Sequence, residues 1–369
     1  MFLLYVKNIR LINFRNYYSL NIKLNQKTNV FIGKNAQGKT NLLEAIYICG
    51  TGKSFRTNRD KEIINFNKNE AYVGSEINIG KYEKFIEIKL EKDKAKRIRV
   101  NKTELKSHKE LYSGLNVVVF SPEDLKLVKG GPSERRNFLD TEISQIKPVY
   151  NFNINRYNKV LFQRNNLLRT SRFQGNISNI LEIFDLQLAN IGTDIILERD
   201  RYIKELSSIL ETTHNNITSS KEKLELKYLS NIEILDDKTE MEKKYLNKLK
   251  KNTKSDIESS STQLGPHRDD ISITINNKDL KTYGSQGQQR TAVLSIKLSE
   301  VELIKKQRGV YPVLLLDDVF SELDEERRKY LIRSFKNMQT LITATDAIDL
   351  KEMDNVEKSV YYIDNGQLS

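Results

Sequence analysis

Apolar and polar residues alternate along much of the N-terminal part of the chain. The alternation is clear over residues 20–24, 76–79 and 85–90, and a period of two is typical of strands with one buried face. A short apolar run at residues 28–32 predicts a further strand. The pattern therefore predicts strands at the start of the chain and antiparallel strands over residues 70–100.

Helical spacing replaces this alternation elsewhere. Residues 39–49 predict an amphipathic helix, and its apolar face consists of Leu42, Leu43, Ile46 and Cys49. Residues 123–260 contain few β-branched runs and little Gly or Pro. Long helices are predicted there over residues 150–170, 178–212 and 239–251.

The change of pattern after Pro122 predicts two domains. A chain of 369 residues is long enough for two or three. Residues 1–122 and 261–369 mix strands and helices, and together they are expected to form one α/β domain. Residues 123–260 are expected to form a helical domain inserted into it.

The segment from Gly33 to Thr40 matches the pattern G-x-x-x-x-G-K-[ST] of phosphate-binding loops. It lies between a predicted strand and a predicted helix, which disfavours an accidental match. Backbone N–H groups and the helix N-terminus would face phosphate oxygens. Lys39 is expected to contact the β- and γ-phosphates, and Thr40 to ligate Mg²⁺. The predicted ATP contacts are Gly33, Lys34, Asn35, Ala36, Gln37, Gly38, Lys39, Thr40 and Asn41.

A continuous apolar run over residues 312–316 ends in two carboxylates, Asp317 and Asp318. Such a run is typical of a strand that is buried on both faces. Asp317 is expected to share the Mg²⁺ ion with Thr40, and Asp318 to orient the attacking water. The predicted cofactors are therefore ATP and Mg²⁺.

A glutamine-rich turn precedes the helix that leads to this strand. Residues 285–290 read Ser-Gln-Gly-Gln-Gln-Arg, and a Ser-x-Gly-Gln turn resembles the signature motif of ABC-type ATPases. Gln286 departs from the commoner glycine. Ser285, Gly287 and Gln288 are therefore predicted to act on ATP, with Ser285 and Gly287 reaching the nucleotide of a second subunit. Thr345 stands where ABC ATPases often carry a histidine that senses the γ-phosphate.

The charge balance indicates a polyanionic partner. The chain has 61 Lys and Arg against 49 Asp and Glu, a net charge of +12, which suits DNA, RNA or an anionic surface. Candidate DNA contacts are Lys53, Arg56, Arg59, Arg135 and Arg136. Solvated surface charge is the alternative for the first three, and packing of the first helix of the inserted domain is the alternative for the last two.

Other features exclude several kinds of site. A single cysteine, Cys49, excludes an intramolecular disulfide and a multi-cysteine zinc site. No run approaches the ~20 apolar residues of a membrane span, so a cytoplasmic protein without a membrane partner is expected. The histidines His108, His214 and His267 do not suggest a metal site, and a structural hydrogen-bonding role is predicted for His267.

Motifs in order along nearly the whole chain resemble the RecF family of bacterial recombination mediators. The matching segments are residues 13–17, 33–40, 54–57, 120–125, 130–140, 265–270, 285–290 and 314–324. The resemblance implies an ABC/SMC-type P-loop ATPase head at residues 1–122 and 261–369, with a helical arm at residues 123–260. By analogy with related heads, Arg15 and Asn16 flank the adenosine.

The resemblance also implies an activity and partners. It implies slow, DNA-stimulated ATP hydrolysis and an ATP-dependent homodimer that binds double-stranded and gapped DNA. It further implies cooperation with RecR and RecO in loading RecA, in DNA repair, replication and the SOS response.

Three other classes of P-loop protein fit less well. ABC transporter ATPases usually follow the magnesium aspartate with Glu and Pro, whereas this chain has Asp318 and Val319. Chromosome-organising SMC proteins need long heptad segments that residues 123–260 do not supply. A P-loop kinase has no use for the turn at residues 285–289.

Overall fold

The computed structural model describes residues 4–105, 111, 114–170, 178–335, 337–346, 353 and 356–368. The chain divides into two compact units. The first unit comprises Met1–Leu125, Thr212–Glu222 and Arg290–Ser369, and the second comprises Lys126–Glu211 and Lys223–Gln289.

The described strands extend from the N-terminal region to the C-terminal region. In chain order they are β1 (Leu4–Phe14), β2 (Tyr17–Lys23), β3 (Thr28–Ile32), β4 (Glu70–Ile79), β5 (Tyr82–Glu91), β6 (Lys94–Val100), β7 (Thr103–Glu104), β8 (Val117–Phe120), β9 (Leu224–Leu229), β10 (Asp270–Ile275), β11 (Lys278–Asp279), β12 (Val313–Asp317), β13 (Thr340–Ala344), β14 (Lys358–Asp364) and β15 (Gln367–Leu368). The strands predicted at the start of the chain and over residues 70–100 are confirmed.

Two sheets form the frame of the first unit. Among the described residues, an antiparallel sheet has the order β2-β1-β4-β5-β6-β7, and a second sheet has the order β15-β14-β3-β13-β12-β8. In the second sheet, β14, β3, β13, β12 and β8 run parallel. Because parallel strands end at the same edge of a sheet, the loop after β3 and the end of β12 meet there.

The central strands of this parallel sheet are buried along their whole length. Every residue of β3, β12 and β13 is buried. The prediction of a doubly buried strand before Asp317 is therefore confirmed.

The helix predicted after the phosphate loop is present at Lys39–Thr51, but its predicted amphipathic character is wrong. All residues from Leu42 to Thr51 are buried. The helix contributes to one hydrophobic core together with side chains from both sheets, so it has no solvent-facing side over this stretch. The other described helices and 3₁₀ turns of this unit are Asp60–Glu62, Pro122–Leu125, Phe320–Glu322 and Glu325–Ser334.

The second unit is mainly helical. Its described helices and 3₁₀ turns are Lys126–Lys129, Pro132–Ile146, Pro148–Thr170, Lys238–Ser259, Pro266–Arg268 and Leu280–Tyr283. The helices Ser178–Thr218 and Gln286–Arg308 have residues in both units. The three long helices predicted within residues 123–260 are confirmed.

An antiparallel sheet in the second unit differs from the sequence prediction. Its order is β11-β10-β9, and β9 lies inside the segment expected to be helical. The alternation of Leu224, Leu226 and Tyr228 is the period-two pattern of a strand. Because β10 pairs with β9, residues 261–289 stay with the second unit, whereas the sequence placed the return to the first unit at residue 261.

None of the described helices is long and apolar enough to cross a membrane.

Candidate nucleotide-binding site

The phosphate loop connects β3 to the helix that begins at Lys39. Gly38 caps this helix with a φ of 116°, a conformation that favours glycine. A Cβ atom on Gly38 would lie 2.8 Å from the Asn16 side-chain amide, and one on Gly33 would lie 2.3 Å from the Ile363 carbonyl oxygen. The tight surroundings therefore require both glycines of the motif.

Lys39 lies over its own loop. Its ammonium group donates hydrogen bonds to the carbonyl oxygens of Gly33 (2.5 Å) and Lys34 (2.9 Å), and the residue is only 7% exposed. Burial lowers the pKa of Lys39, and the nearby carboxylates of Asp318 and Asp317 act in the opposite direction. The cation is thus positioned at the loop, close to both predicted acidic residues.

Asp317 connects the phosphate loop to the neighbouring strands. Its Oδ1 accepts hydrogen bonds from the hydroxyl groups of Thr40 and Thr343, each at 2.8 Å. The Thr343 hydroxyl also accepts a hydrogen bond from the Asp318 backbone N–H at 2.9 Å. Burial raises the pKa of the Asp317 carboxyl, and the two threonine hydrogen bonds oppose that shift. The structure brings together Thr40 and Asp317, as the sequence predicted.

The donors at this point fit a magnesium ion. A threonine hydroxyl and a carboxylate are the hard oxygen ligands that Mg²⁺ prefers, and this ion usually takes its other ligands from water and phosphate. Within the described residues, no group of three or more His, Cys, Asp or Glu side chains could hold a metal by itself. Thr40 and Asp317 would supply two of the ligands of such an ion.

Asn16 and Tyr17 hold the loop from the side of the antiparallel sheet. The Asn16 side chain donates to the Gln37 carbonyl oxygen (2.9 Å), and the Tyr17 hydroxyl donates to the Gly38 carbonyl oxygen (2.9 Å). Asn41 donates to the Asn16 side chain at 2.8 Å. Burial raises the pKa of Tyr17, so its hydroxyl stays protonated. Asn16 was predicted for this site, whereas Tyr17 was missed.

Glu44 is a buried anion on the loop helix that the sequence analysis did not single out. Its side chain is 0% exposed and accepts two hydrogen bonds from Arg15, at 2.8 Å and 2.6 Å. Ser54 donates a further hydrogen bond to it, and an Arg56 nitrogen lies 3.7 Å from it. The only signal in the sequence was an acidic residue within an otherwise apolar helical run.

Arg56 lies at the nucleotide site, although the sequence suggested DNA contact for it. It donates a hydrogen bond to the Asn41 side chain at 2.7 Å, and its charge helps to counter the upward shift of the pKa of Asp317. Lys53 and Arg59 are exposed, and Arg59 forms an ion pair with Glu62 at 3.5 Å.

A cavity of about 940 Å³ adjoins this group. Its lining includes Arg15, Asn16, Asn41 and Arg56, together with the aromatic residue Phe66. Ligand sites commonly have volumes of about 300–1,000 Å³. The cavity is thus large enough for a nucleoside beside the phosphate loop.

The glutamine-rich turn forms a capping box in the second unit. The Ser285 backbone N–H donates to the Gln288 side chain at 2.9 Å, and the Gln288 backbone N–H donates to the Ser285 hydroxyl at 3.2 Å. These reciprocal bonds begin the helix Gln286–Arg308. A Cβ atom on Gly287 would have only the Ser285 hydroxyl near it, at 3.9 Å. The predicted roles of these residues toward ATP stay predictions.

Thr343, on β13, contacts Asp317 and was not singled out by the sequence analysis. Thr345 follows this strand directly. Its role toward the γ-phosphate stays a prediction.

Arg135 and Arg136 both form hydrogen bonds within the second unit. Arg135 forms two hydrogen bonds to the Asp270 carboxylate, at 2.6 Å and 2.9 Å. Arg136 donates to the Asp269 carbonyl oxygen at 2.8 Å. These contacts favour the packing role that the sequence analysis left open beside DNA binding.

His267 has hydrogen-bond partners on both ring nitrogens. Nε2 lies 2.9 Å from the Thr262 carbonyl oxygen, which can only accept, so Nε2 carries the proton. Nδ1 then accepts from the Tyr157 hydroxyl at 2.8 Å. Burial lowers the pKa of His267 to about 4. The geometry agrees with the predicted hydrogen-bonding role. His214 is buried beside the Ser295 hydroxyl, and His108 lies outside the described residues.

Comparisons with known sequences identify relatives over the full chain. The family model described as RecF/RecN/SMC N terminal domain matches residues 5–368. The DNA replication and repair protein RecF of Clostridium novyi (strain NT) is 48% identical over 366 residues, covering 99% of this chain and 100% of the relative. The protein of the same name from Alkaliphilus oremlandii (strain OhILAs) is 48% identical over 365 residues, covering 98% of this chain and 99% of the relative.

Solved structures give the same picture of the fold. A structure of the recombination mediator protein RecF with ATP, in the RecFOR pathway, has a TM-score of 0.93 and 39% identity, covering 100% of this chain and 97% of that one. An Smc head bound to the C-winged helix domain of ScpA has a TM-score of 0.55 and 16% identity, covering 99% of this chain and 96% of that one, and it shows the fold alone. The predicted fold class, an ABC/SMC-type ATPase head of mixed helices and sheets, is confirmed.

Proposed function

The chain belongs to the RecF family, and on that premise we propose that it is an ATP-dependent DNA-binding protein of replication and repair. ATP binding would drive homodimerisation, and the dimer would bind double-stranded and gapped DNA in the cytoplasm. With RecR and RecO it would help to load RecA at single-strand gaps, in repair, replication restart and the SOS response. The first unit would be the ATPase head and the second unit the arm.

One observation carries the proposal: the hydrogen bond from the Thr40 hydroxyl to Asp317 at 2.8 Å. It joins the end of the phosphate loop to the end of an apolar strand, and these two residues lie 277 positions apart in the sequence. A threonine of a phosphate loop and a strand-end aspartate together form the metal-binding corner of P-loop ATPases. The Thr40–Asp317 pair therefore supports the proposal that this chain hydrolyses ATP.

Each residue around Thr40 and Asp317 would have a separate role in hydrolysis. Lys39 would exchange its carbonyl partners for β- and γ-phosphate oxygens, and the loop N–H groups would hold the same oxygens. Bound Mg²⁺ would neutralise charge between the two phosphates. Asp318 would accept a hydrogen bond from the attacking water and orient it.

The cavity beside the loop would receive the adenosine. Arg15, Asn16 and Asn41 line it, and Glu44 orients the Arg15 guanidinium through two hydrogen bonds. Thr345 would approach the γ-phosphate. These side chains would fix the base and ribose while the loop holds the phosphates.

The turn at Ser285 would complete the site of a second subunit. Helix N-termini attract anions through the positive end of the helix dipole, and a Cβ atom on Gly287 would meet only the Ser285 hydroxyl, at 3.9 Å, so there is space beside this turn for a phosphate. Ser285, Gly287 and Gln288 of one subunit would thus contact the γ-phosphate held by Lys39 of the other. ADP lacks that phosphate, so hydrolysis would loosen the dimer.

DNA binding would rely on phosphate contacts. The net charge of +12 supplies the electrostatic attraction, which depends little on sequence and falls with salt. Lys53, Arg56 and Arg59 are all exposed and are the candidates near the site. Arg135 and Arg136 would contribute less, because both are engaged within the second unit.

The test of this proposal is the substitution Ser285→Arg, which places a bulky cation at the shared contact. We expect the variant to bind ATP as a monomer, to fail to dimerise in sedimentation with ATP, and to lose DNA-stimulated hydrolysis. Mixing it with Lys39→Met should restore one composite site per heterodimer. Normal ATP-induced dimers of Ser285→Arg would contradict the shared-site mechanism.

A further inference from the structure

One long helix of the second unit contains no acidic residue. The charged residues of Pro148–Thr170 are Arg156, Lys159, Arg164 and Arg169. Arg164 is buried in ion pairs, whereas the other three are exposed. Among the described residues, Arg156 and Lys159 have no ion pair, and Arg169 donates to an asparagine of its own helix. The exposed side of this helix therefore carries positive charge that no acidic partner balances within the described part of the chain.

Aromatic rings lie on the same side of the helix. Phe162 is 64% exposed and Phe152 is 46% exposed, and Arg156 and Lys159 lie between them in the sequence. With 3.6 residues per turn, positions 152, 159 and 166 fall along one line, positions 155, 162 and 169 along the line on one side of it, and position 156 along the line on the other side. Cations, rings and amide side chains thus alternate over one exposed surface.

This surface, formed by Phe152, Arg156, Lys159, Phe162 and Arg169, suits a nucleic acid strand with unpaired bases. Arg and Lys side chains track phosphates, and exposed aromatic rings stack on bases that a duplex would keep covered. The distance along the helix from residue 155 to residue 169 is about 21 Å at ~1.5 Å per residue. Several stacked nucleotides fit that length at ~3.4 Å each.

We infer that this face of the Pro148–Thr170 helix binds single-stranded DNA. The inference rests on the proposed DNA-binding function and assigns a surface of this chain to the unpaired strand of a gap. Phe162 stacks on a base, while Arg156, Lys159 and Arg169 contact the phosphates on either side. A protein that acts at gaps would then hold the unpaired strand on this helix separately from the duplex.

The chain has no tryptophan, which provides a direct test. Phe162→Trp places the only tryptophan of the variant at the proposed stacking position, and its emission can be excited apart from that of the 17 tyrosines. We expect oligo(dT) to quench its emission, whereas a blunt duplex of equal length binds with little quenching. Absence of quenching by bound oligo(dT) would overturn the inference. A response to anionic phospholipid vesicles but not to oligo(dT) would also overturn it and indicate a membrane surface instead.

Charge-reversal variants distinguish binding by this surface from nonspecific attraction of DNA by the net positive charge. Arg156→Glu with Lys159→Glu should weaken oligo(dT) binding at least tenfold and reduce the slope of log K against log salt by about 1.4, which corresponds to two phosphates of a single strand. The matched control is Lys251→Glu with Lys254→Glu, an equal charge change at exposed positions of Lys238–Ser259. Equal losses in both pairs would overturn the inference.

Phe162→Ala isolates the stacking contribution. It should weaken oligo(dT) binding about tenfold and leave the salt slope and duplex affinity unchanged. If duplex binding is normal and oligo(dT) binding is unaffected, this inference fails while the proposed function stands. If the unaltered chain binds neither DNA, both fail.

Discussion

Buried charges occur in both units, but their surroundings differ. In the second unit, Arg164 is completely buried, with its nitrogens 2.7 Å from Asp185 and 2.7 Å from Asp256. In the first unit, Glu44 is equally buried, but the arginines on it, Arg15 and Arg56, also line a cavity. The ion pairs of Arg164 are made entirely with buried residues of the protein. The arginines on Glu44, in contrast, also face a cavity that a ligand can fill.

The difference separates stability from binding. A charge whose partners are all inside the protein contributes to the fold, and removing it leaves its partners buried and uncompensated. A charge beside a cavity is free to contact a ligand and belongs to a candidate functional site. Substitution of Arg164 should therefore change unfolding, and substitutions around the phosphate loop should change turnover.

The largest effect is expected from Arg164→Leu. Two buried carboxylates would lose their cation, which should lower the free energy of unfolding by about 3–5 kcal/mol. Urea unfolding followed by circular dichroism measures this loss. ATP turnover per folded molecule should stay near that of the unaltered protein. A loss of turnover without a loss of stability would break the comparison.

Lys39→Ala should lower ATP turnover and leave stability nearly unchanged, which is the opposite of the result expected for Arg164→Leu. Without the ammonium group on the β- and γ-phosphates, ATP hydrolysis should fall at least about a hundredfold, roughly 2.7 kcal/mol in barrier. The urea midpoint should hardly move. Lys23→Ala, which removes an exposed lysine from β2, is the matched control and should keep full activity.

The nucleotide site shows which residues can be predicted from the sequence and which cannot. The phosphate loop, Asp317 and the buried strand before it were predictable, because local pattern and chemistry agree there. Glu44 and Tyr17 were not, since their partners are distant in sequence and only the folded chain brings them together. Arg56 was given DNA contact and solvated surface charge as alternatives, and its hydrogen bond to Asn41 was not foreseen, because an arginine in a sequence carries no sign of the side chains it will meet.

The domain boundary shows the same limit. Strand β10 pairs with β9, about forty residues earlier, in the register Asp270 to Leu229, and no local signal announces that partner. The sequence therefore ended the inserted domain at residue 260, before the strand that belongs to it.

The pH dependence of stability gives another test of the prediction that buried groups of the second unit contribute to stability. His267 is held neutral with a pKa of about 4, below the ~6.5 of an unfolded histidine. The unfolded chain therefore binds more protons as the pH falls, and stability should drop by about 2 kcal/mol between pH 7.5 and pH 5. His267→Gln should flatten this part of the profile in urea unfolding. An unchanged profile would assign the pH dependence to other groups, such as the buried His214.

The smallest effect is expected from Glu44→Gln. The neutral side chain keeps its size but holds Arg15 and Arg56 less firmly, so the KM for ATP should rise about fivefold, near 1 kcal/mol, with a smaller change in kcat. Ser54→Ala is the control, since it removes a hydrogen bond to the same carboxylate, together with the two that Ser54 accepts from the backbone N–H groups of Arg56 and Thr57, without changing charge. Equal effects from both variants would show that charge at residue 44 is unimportant.

The backbone at Asp318 limits which residues evolution can place there. Its φ of 54° lies in the left-handed region, which Asn and Asp enter more readily than other residues with a Cβ. A glutamate, as transporter ATPases usually have at this position, would carry more backbone strain. Asn is the substitution that preserves this conformation most closely, so Asp318→Asn tests the charge of the carboxylate rather than the shape of the loop.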